Sequence, residues 1–451
     1  MSMEAVLDRF IKNRALAVMS RVILEEILSE DLDTVFDEHR QRQYEREMLF
    51  SQLTITMADV VLGAETSPHQ AYKSHRSELG VSSAAFYDKL RNVETRISEA
   101  MVRHAFEKSC EMQDELGFVP RNTIRGYRAR IIDGNHIQKT EKRLTELRGI
   151  ASAALPGTVV ATYDLGRELF DRAYLLVDAH AQEASALDRV LEDLEENDLI
   201  IGDRHFCILS FMSGIIGRKG AFIIRQHGRL KGELLGQRRQ VGPVSGGMAY
   251  EQQLRAGDMI LRRITVELDE PTRDGDKEIH LLTNLPESKA DARKVADVYR
   301  QRWEIENGFN ILTMALRCEM KSLGHPLAAL FVFCTAMLAY NALRVLNAAL
   351  VAVHGAEAVG ELSAYSQSLE VAKAADGMNV ALTAADWEKL LPKSARGRAA
   401  FLKRVAAHVD MKRHRKSRRG PKKKPPQRTG YKNGGHVSTA KIIGLVPNST
   451  P

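Results

Sequence analysis

The sequence predicts an α/β protein, with a mixed sheet core that carries a β-rich insertion and helical regions on either side. Three observations point there. Residues 1 to about 120 carry apolar residues at helical spacing; short apolar runs typical of strands follow one another after Pro120; helical spacing returns at Asp291 and holds to about residue 410. Length agrees, because 451 residues allow two or three domains and 44% hydrophobic content can bury a full core. The expected organisation is a helical domain over 1–120, a sheet domain over 121–345 with its insertion at about 228–285, a C-terminal helical region over 346–410, and a basic disordered tail over 411–451.

Within the first region, "SPHQAYKSHRSELGVSSAAFYDKLRNVETRI" has the pattern helix, turn, helix. The first helix stops near Gly80, Ser82 can cap the next, and Phe86 and Leu90 face inward four residues apart. Such a unit can aim Tyr87, Lys89 and Arg91 at a DNA groove, and a plain helical hairpin fits the same pattern.

After Pro120 the runs "ARIIDGN", "GTVVATYDL" and "RAYLLVDAH" read as three strands. An amphipathic helix, "AQEASALDRVLEDLEEN", and a buried strand, "LIIGDRHF", come next. No GxGxxG follows the first strand, which excludes a dinucleotide-binding fold. A helical stretch, "FCILSFMSGIIG", leads to the strand "AFIIRQHG"; the insertion then shows Gly-rich turns ("VGPVSGGMAY") and alternating strands ("DMILRRITVELDE", "KEIHLLTNL").

The stretch "VADVYRQRWEIENGFNILTMALR", residues 295–317, reads as one helix. Tyr299, Arg302, Glu306, Asn310 and Thr313 recur three and four apart, so one face carries a phenol, a guanidinium and a carboxylate in register. Trp303 reads as core packing beside that stripe, with base stacking as the other role open to it. Farther on, "LAALFVFCTAMLAYNAL" (327–343) holds 17 residues without a charge, the short limit for crossing a hydrocarbon layer of about 30 Å. It has no second such segment for company and no interfacial aromatic belt, so a buried central helix and no membrane partner are expected.

Cys110, Cys207, Cys318 and Cys334 form no CxxC pair, which supports neither a disulfide framework nor a zinc knuckle. The N-terminal segment carries acids and lacks an apolar core, so it is no secretory signal, and a cytoplasmic protein is expected. The net charge of +7 is unevenly spread: residues 412–451 hold 12 Lys and Arg and no acid, leaving 53 bases against 58 acids elsewhere. The run "MKRHRKSRRGPKKKPPQR", with Lys422, Lys423 and Lys424 at its centre, has the composition of a flexible arm for a polyanion such as nucleic acid.

Asp133 ends the apolar run "RII" ahead of Gly134, Asp203 follows "LIIG", and Glu306 lies on the striped helix. Carboxylates at strand ends present oxygens to a hard divalent cation, and two or three of them can hold a pair of Mg²⁺ ions about 4 Å apart for phosphodiester chemistry. Asp178 also ends an apolar run, and it reads as structural because it precedes the long helix. His136 and His205 flank the two aspartates and read as local hydrogen-bonding partners.

The order Asp, Asp, Glu, with a β insertion before the Glu, resembles the DDE transposases of bacterial insertion sequences. Tyr299, Arg302 and Glu306 match the first three positions of that family's Tyr-(2)-Arg-(3)-Glu-(6)-Lys signature, and Thr313 stands at the Lys position, a departure. "DGN" at the first Asp, "GDR" at the second, "LLTNL" before the helix and "HPLAALFVFCTAMLAYNALR" after it extend the resemblance over about 120–345. The resemblance implies a ribonuclease-H-like core in which Asp133, Asp203 and Glu306 bind two Mg²⁺ ions, with Mn²⁺ as a substitute, and Tyr299, Arg302 and position 313 contact a DNA strand. It implies cleavage at element ends followed by strand transfer, double-stranded DNA (terminal inverted repeats and target) as partner, and a homodimer on paired ends. Two other functions stay open: a transposase-derived DNA-binding regulator that does not cut, and a structure-specific nuclease without strand transfer.

Overall fold

The computed structural model describes residues 2–29, 31–43, 47–272, 275–417, 420 and 435–447. Eight helices come first: α1 (Met3–Asn13), α2 (Ala15–Ile27), α3 (Asp31–His39), α4 (Phe50–Leu62), α5 (Pro68–Ser74), α6 (Arg76–Leu79), α7 (Ser83–Asn92) and α8 (Thr95–Glu115). Their starts follow local capping chemistry, since the side chains of Ser2, Ser67 and Ser82 each accept a hydrogen bond from the backbone N–H three residues on. Gly80 ends α6 in the left-handed region at φ 66°, and Phe86 and Leu90 of α7 are buried, as the helix–turn–helix pattern predicts.

The sheet is built from β1 (Arg128–His136), β3 (Thr158–Asp164), β4 (Leu169–Leu176), β5 (Asp198–Gly202) and β6 (Ala221–Arg225), preceded at β3 by the short β2 (Ala153–Leu155). Helices α9 (Leu187–Glu192) and α10 (Leu209–Gly217) cross between the later strands. The strand order begins β4-β3-β1-β5-β6, with β3 antiparallel to both β1 and β4, and β5 parallel to both β1 and β6. That is a mixed sheet of parallel and antiparallel strands, as the sequence predicts. The predicted insertion supplies β7 (Glu233–Val244), β8 (Gly247–Ala256), β9 (Met259–Leu268) and β10 (Glu278–Thr283). It joins the same sheet, because β10 pairs with β6 and the order continues β10-β9-β8-β7 to make nine strands among the described residues.

The expected single helix over 295–317 is two: α11 (Ala292–Arg300) and α12 (Trp303–Met314). At the break, Gln301 and Arg302 donate backbone N–H bonds to Val298 and Tyr299, the i→i−3 pattern of a tightened turn. The two halves serve different neighbours, since α11 packs on β7, β8 and β9 while α12 packs on β1 and α13 (Pro326–His354). Tertiary packing therefore bends the chain where neither Gly nor Pro marks a stop.

Helix α13 contains the uncharged run, and 94% of its most apolar window is buried inside the protein. Asn341 on α13 bonds both the N–H and the C=O of Phe170 on β4, at 3.0 and 2.9 Å, and so locks this helix to the sheet. After it come α14 (Ala356–Gly360), α15 (Ala364–Ala381), α16 (Ala384–Leu390) and α17 (Ala395–Ala406). One hydrophobic cluster joins the N-terminal helices, one face of the sheet, α11 to α13 and the C-terminal helices, while α9 and α10 cover the other face. Alternation along β1 serves both, with Ile131 in the first cluster and Ile132 in the second.

Residues 411–417 and 435–447 depart from the expected disordered tail, and most of the basic run between them lies outside the described residues. His414 is buried against Glu370 at 3.3 Å. Residues 435–447 return to the sheet domain: β11 (His436–Ser438) pairs in parallel with β2, and α18 (Thr439–Ile442) follows. Lys441 there reaches Asp178 at 3.2 Å, and Ser438 accepts a bond from the Ala179 N–H at 3.3 Å.

Candidate active site

Strand register brings the two aspartates together. Ile132 of β1 lies opposite Gly202 of the parallel β5, so the next residues, Asp133 and Asp203, sit side by side where that pairing ends. Gly202 permits the close packing this needs, because a Cβ there would meet Ile132 and Phe206 side chains at 3.2 Å. Asp203 leaves β5 as the cap of a 3₁₀ turn and accepts the His205 N–H at 2.7 Å. Asp133 accepts the Gly134 N–H at 3.0 Å. Burial pushes the Asp133 carboxyl up to about 7; Arg302 pulls it down, while Asp203 and Glu183 push it up again.

Glu306 reaches Asp133 through Arg302. The guanidinium of Arg302, at the start of α12, lies 2.7 Å from the Glu306 carboxylate and 3.3 Å from that of Asp133. Tyr299, half-buried at the end of α11, is held by burial above the usual phenol range and hydrogen-bonds Arg302. The first three residues of the stripe, Tyr299, Arg302 and Glu306, thus stay together beside Asp133 despite the break in the helix.

Other expected site residues are placed elsewhere. Thr313 donates its hydroxyl to the Phe309 carbonyl one turn back, at 3.0 Å. Tyr87 packs edge-on against Phe86, Lys89 donates to the Met48 carbonyl and sits over the Phe36 ring, and Arg91 pairs with Asp88 on its own helix. Lys422, Lys423 and Lys424 lie outside the described residues. Trp303 is not core packing, since it is 62% exposed at the head of α12 with the Arg302 guanidinium 5.6 Å from its ring. Glu304 points away to Arg121 at 2.8 Å, and His136 bonds Thr158 at 2.8 Å as a local partner.

Sequence reasoning missed Glu183. It opens the 3₁₀ turn Glu183–Ala186 after β4, and a Cβ on Gly134 would fall 2.0 Å from its Oε1, so its carboxylate lies directly over the residue after Asp133. His205 stands between it and Asp203, at 3.7 and 3.9 Å. The sequence reading placed Glu183 in the amphipathic helix 181–197, of which only Leu187–Glu192 is α-helical, and the one trace of its position is the glycine that admits the side chain.

The donor set is made of carboxylate oxygens, the chemistry a hard divalent cation takes, and the charge that burial makes costly at Asp133 is what such a cation would offset. Among the described residues, however, no three His, Cys, Asp or Glu gather tightly enough to hold a metal ion. Arg302 stands among them instead. A cleft of about 1240 Å³ opens elsewhere on α12, lined by Asn307, Asn310 and Met314 together with Arg344 of α13, and it does not include the acids.

Comparison with known proteins bears on this arrangement. Residues 125–342 match the family model described as the transposase DDE domain. Among solved structures, the chain is similar to a piggyBac transposase in a synaptic complex with hairpin DNA, at a TM-score of 0.41 and 10% sequence identity, covering 88% of this chain and 86% of that one. No curated protein matches.

Proposed function

Because residues 125–342 match the transposase DDE domain, we propose that this chain cleaves DNA at the ends of a mobile element and joins the freed 3′ ends to target DNA, by cut-and-paste. The observation that carries the reading is the register that leaves Asp133 and Asp203 adjacent just past the end of the β1–β5 pairing, with Glu306 tied to Asp133 through Arg302. The Tyr299, Arg302 and Glu306 spacing supports the subgroup with the Tyr, Arg, Glu, Lys signature.

Asp133, Asp203 and Glu306 would hold the divalent cation, Mg²⁺ or its substitute Mn²⁺. When bound, the cation supplies activation of the attacking oxygen and charge neutralisation at the leaving one. The chain's own groups do the rest. Arg302 offers two parallel N–H donors to a backbone phosphate, which fixes the strand relative to the acids. Tyr299 holds that guanidinium by a hydrogen bond from a half-buried position. The exposed indole of Trp303, one residue on, suits stacking on a base of the held strand. Double-stranded DNA is the proposed partner, as terminal repeats and as target, with two copies of the chain on paired ends.

The test is incubation of the protein with the DNA flanking its own gene and Mg²⁺. Nicks at inverted repeats, followed by joined products, are expected, and Asp203→Asn should give neither while still retaining DNA. Nicks without joining would leave a nuclease, and binding without nicks would leave a regulator.

A further inference from the structure

Arg302 holds two positions that the proposed chemistry cannot use at once. Its Nη1 is 3.3 Å from Asp133 Oδ2 and its Nη2 is 2.7 Å from Glu306 Oε1, so one guanidinium spans the first and last acids of the set. Those are two of the carboxylates assigned to the cation, and the same two nitrogens make the fork that would grip a phosphate. The structure therefore has a cation in the carboxylate centre already, supplied by the chain.

The hold on Arg302 is incomplete. Its Nε is buried without a hydrogen-bond partner, and Trp303, which flanks the guanidinium, is exposed. A phosphate arriving past Trp303 would offer oxygens in the geometry that two carboxylates on separate elements do not provide. Asp133 is held within β1, paired with Ala161 of β3, and Glu306 rides a helix, so neither can follow the guanidinium if it swings outward.

Building on the proposed function, we infer that Arg302 is a resident counter-ion whose transfer to a DNA phosphate opens the carboxylate centre to the metal. DNA and divalent cation are then positively linked through one side chain, and linkage requires each to raise the other's affinity by the same factor. Metal-dependent cutting is confined to chains that already hold DNA.

The experiment measures Mn²⁺ binding to the full chain by the paramagnetic signal of the free ion, with thermal melting in EDTA alongside. In Arg302→Gln, without DNA, Mn²⁺ affinity should rise about fivefold or more over the parent. The melting temperature in EDTA should fall, because the acids lose their counter-ion, and Mn²⁺ should restore it. A duplex carrying the gene-flanking sequence should raise the parent's Mn²⁺ affinity and leave that of Arg302→Gln unchanged. Arg302→Lys, which keeps the charge without the fork, should show the DNA-free rise in smaller measure and serves if Arg302→Gln does not fold. Equal or weaker Mn²⁺ binding by both variants, with Asp203→Asn having lost it, overturns the inference and leaves the proposed metal centre standing. With the duplex present, Mn²⁺ binding by Asp203→Asn equal to the parent's overturns the metal centre itself.

Discussion

Asp133 carries a charge that the fold resists, and this has a measurable pH signature. Burial raises its carboxyl to about 7 in the native chain, against about 3.9 unfolded. Between those values the native state binds the extra proton, so the group lowers stability as pH rises from about 4 to about 7 and has no further effect above. Asp133→Asn removes that slope. In EDTA, its stability relative to the parent should improve between pH 4 and pH 8 by up to a few kcal/mol, since each tenfold change in proton affinity is worth about 1.4 kcal/mol. Urea titrations at the two pH values check it, and parallel profiles would contradict it. The sequence showed Asp133 because a carboxylate after three apolar residues breaks a visible pattern. It hid Glu183, which reads as part of the following helix and instead opens a 3₁₀ turn, and it misplaced Trp303, because the exposed position exists only once the helix breaks at residue 302.

At the level of elements, two features hold the acids' scaffold in place. Arg130 is fully buried on β1 and bridges Asp171 of β4 at 2.7 Å and Asp198 of β5 at 2.9 Å, with Thr162 of β3 at 3.0 Å. One guanidinium thus ties four neighbouring strands, three residues below Asp133. Arg130→Met should cost about 3–5 kcal/mol, because Asp171 and Asp198 stay buried with Arg128 as their remaining cation. The second feature is Gly308, which lets α12 approach β4: a Cβ there would sit 2.8 Å from the ring of Phe170, itself buried against Tyr163, Phe309 and Tyr340. Ala gains about 1 kcal/mol in helix propensity, yet a ring so enclosed cannot swing away, and overpacking costs about 1–3 kcal/mol. Gly308→Ala should therefore destabilise, whereas Gly377→Ala on α15, where a Cβ meets nothing within 4 Å, should stabilise by about 1 kcal/mol. Denaturant midpoints of equal sign for the two would refute the packing argument. Strand and helix identities were legible because apolar runs of about four to eight residues recur between turn residues. The buried Arg130 network was not, since its members are spread over residues 128 to 198 and meet only through register.

For the whole molecule, the return of the chain at residues 435–447 changes what the basic region can be. Composition alone made everything after residue 411 look like one unpartnered arm, because acids are absent and Pro and Gly are frequent. Three residues pairing with β2, and Lys441 on Asp178, are too short a signal to stand out from that background. The basic run between residues 417 and 435 is thereby joined at both ends to described structure: the Lys416 side chain donates to the Gly360 carbonyl at 2.9 Å, and His436 lies on β11. Charge and anchoring can be separated by two deletions. Replacing residues 418–434 with a neutral Gly-Ser linker removes seven Lys and Arg and leaves β11 and α18 in the chain. DNA affinity should then fall at low salt, and the slope of log affinity against log salt should flatten by about 0.9 for each phosphate that is no longer neutralised. The melting temperature should hold. Truncation at residue 417 should produce the same salt slope and also lower the melting temperature, because buried Ala154 loses its cover, the packing of Thr439 and Ala440 is deleted, and Asp178 loses Lys441. An unchanged slope after linker replacement would show that these cations do not meet DNA. Equal melting of the two deletions would show that the returning strand adds nothing to the fold.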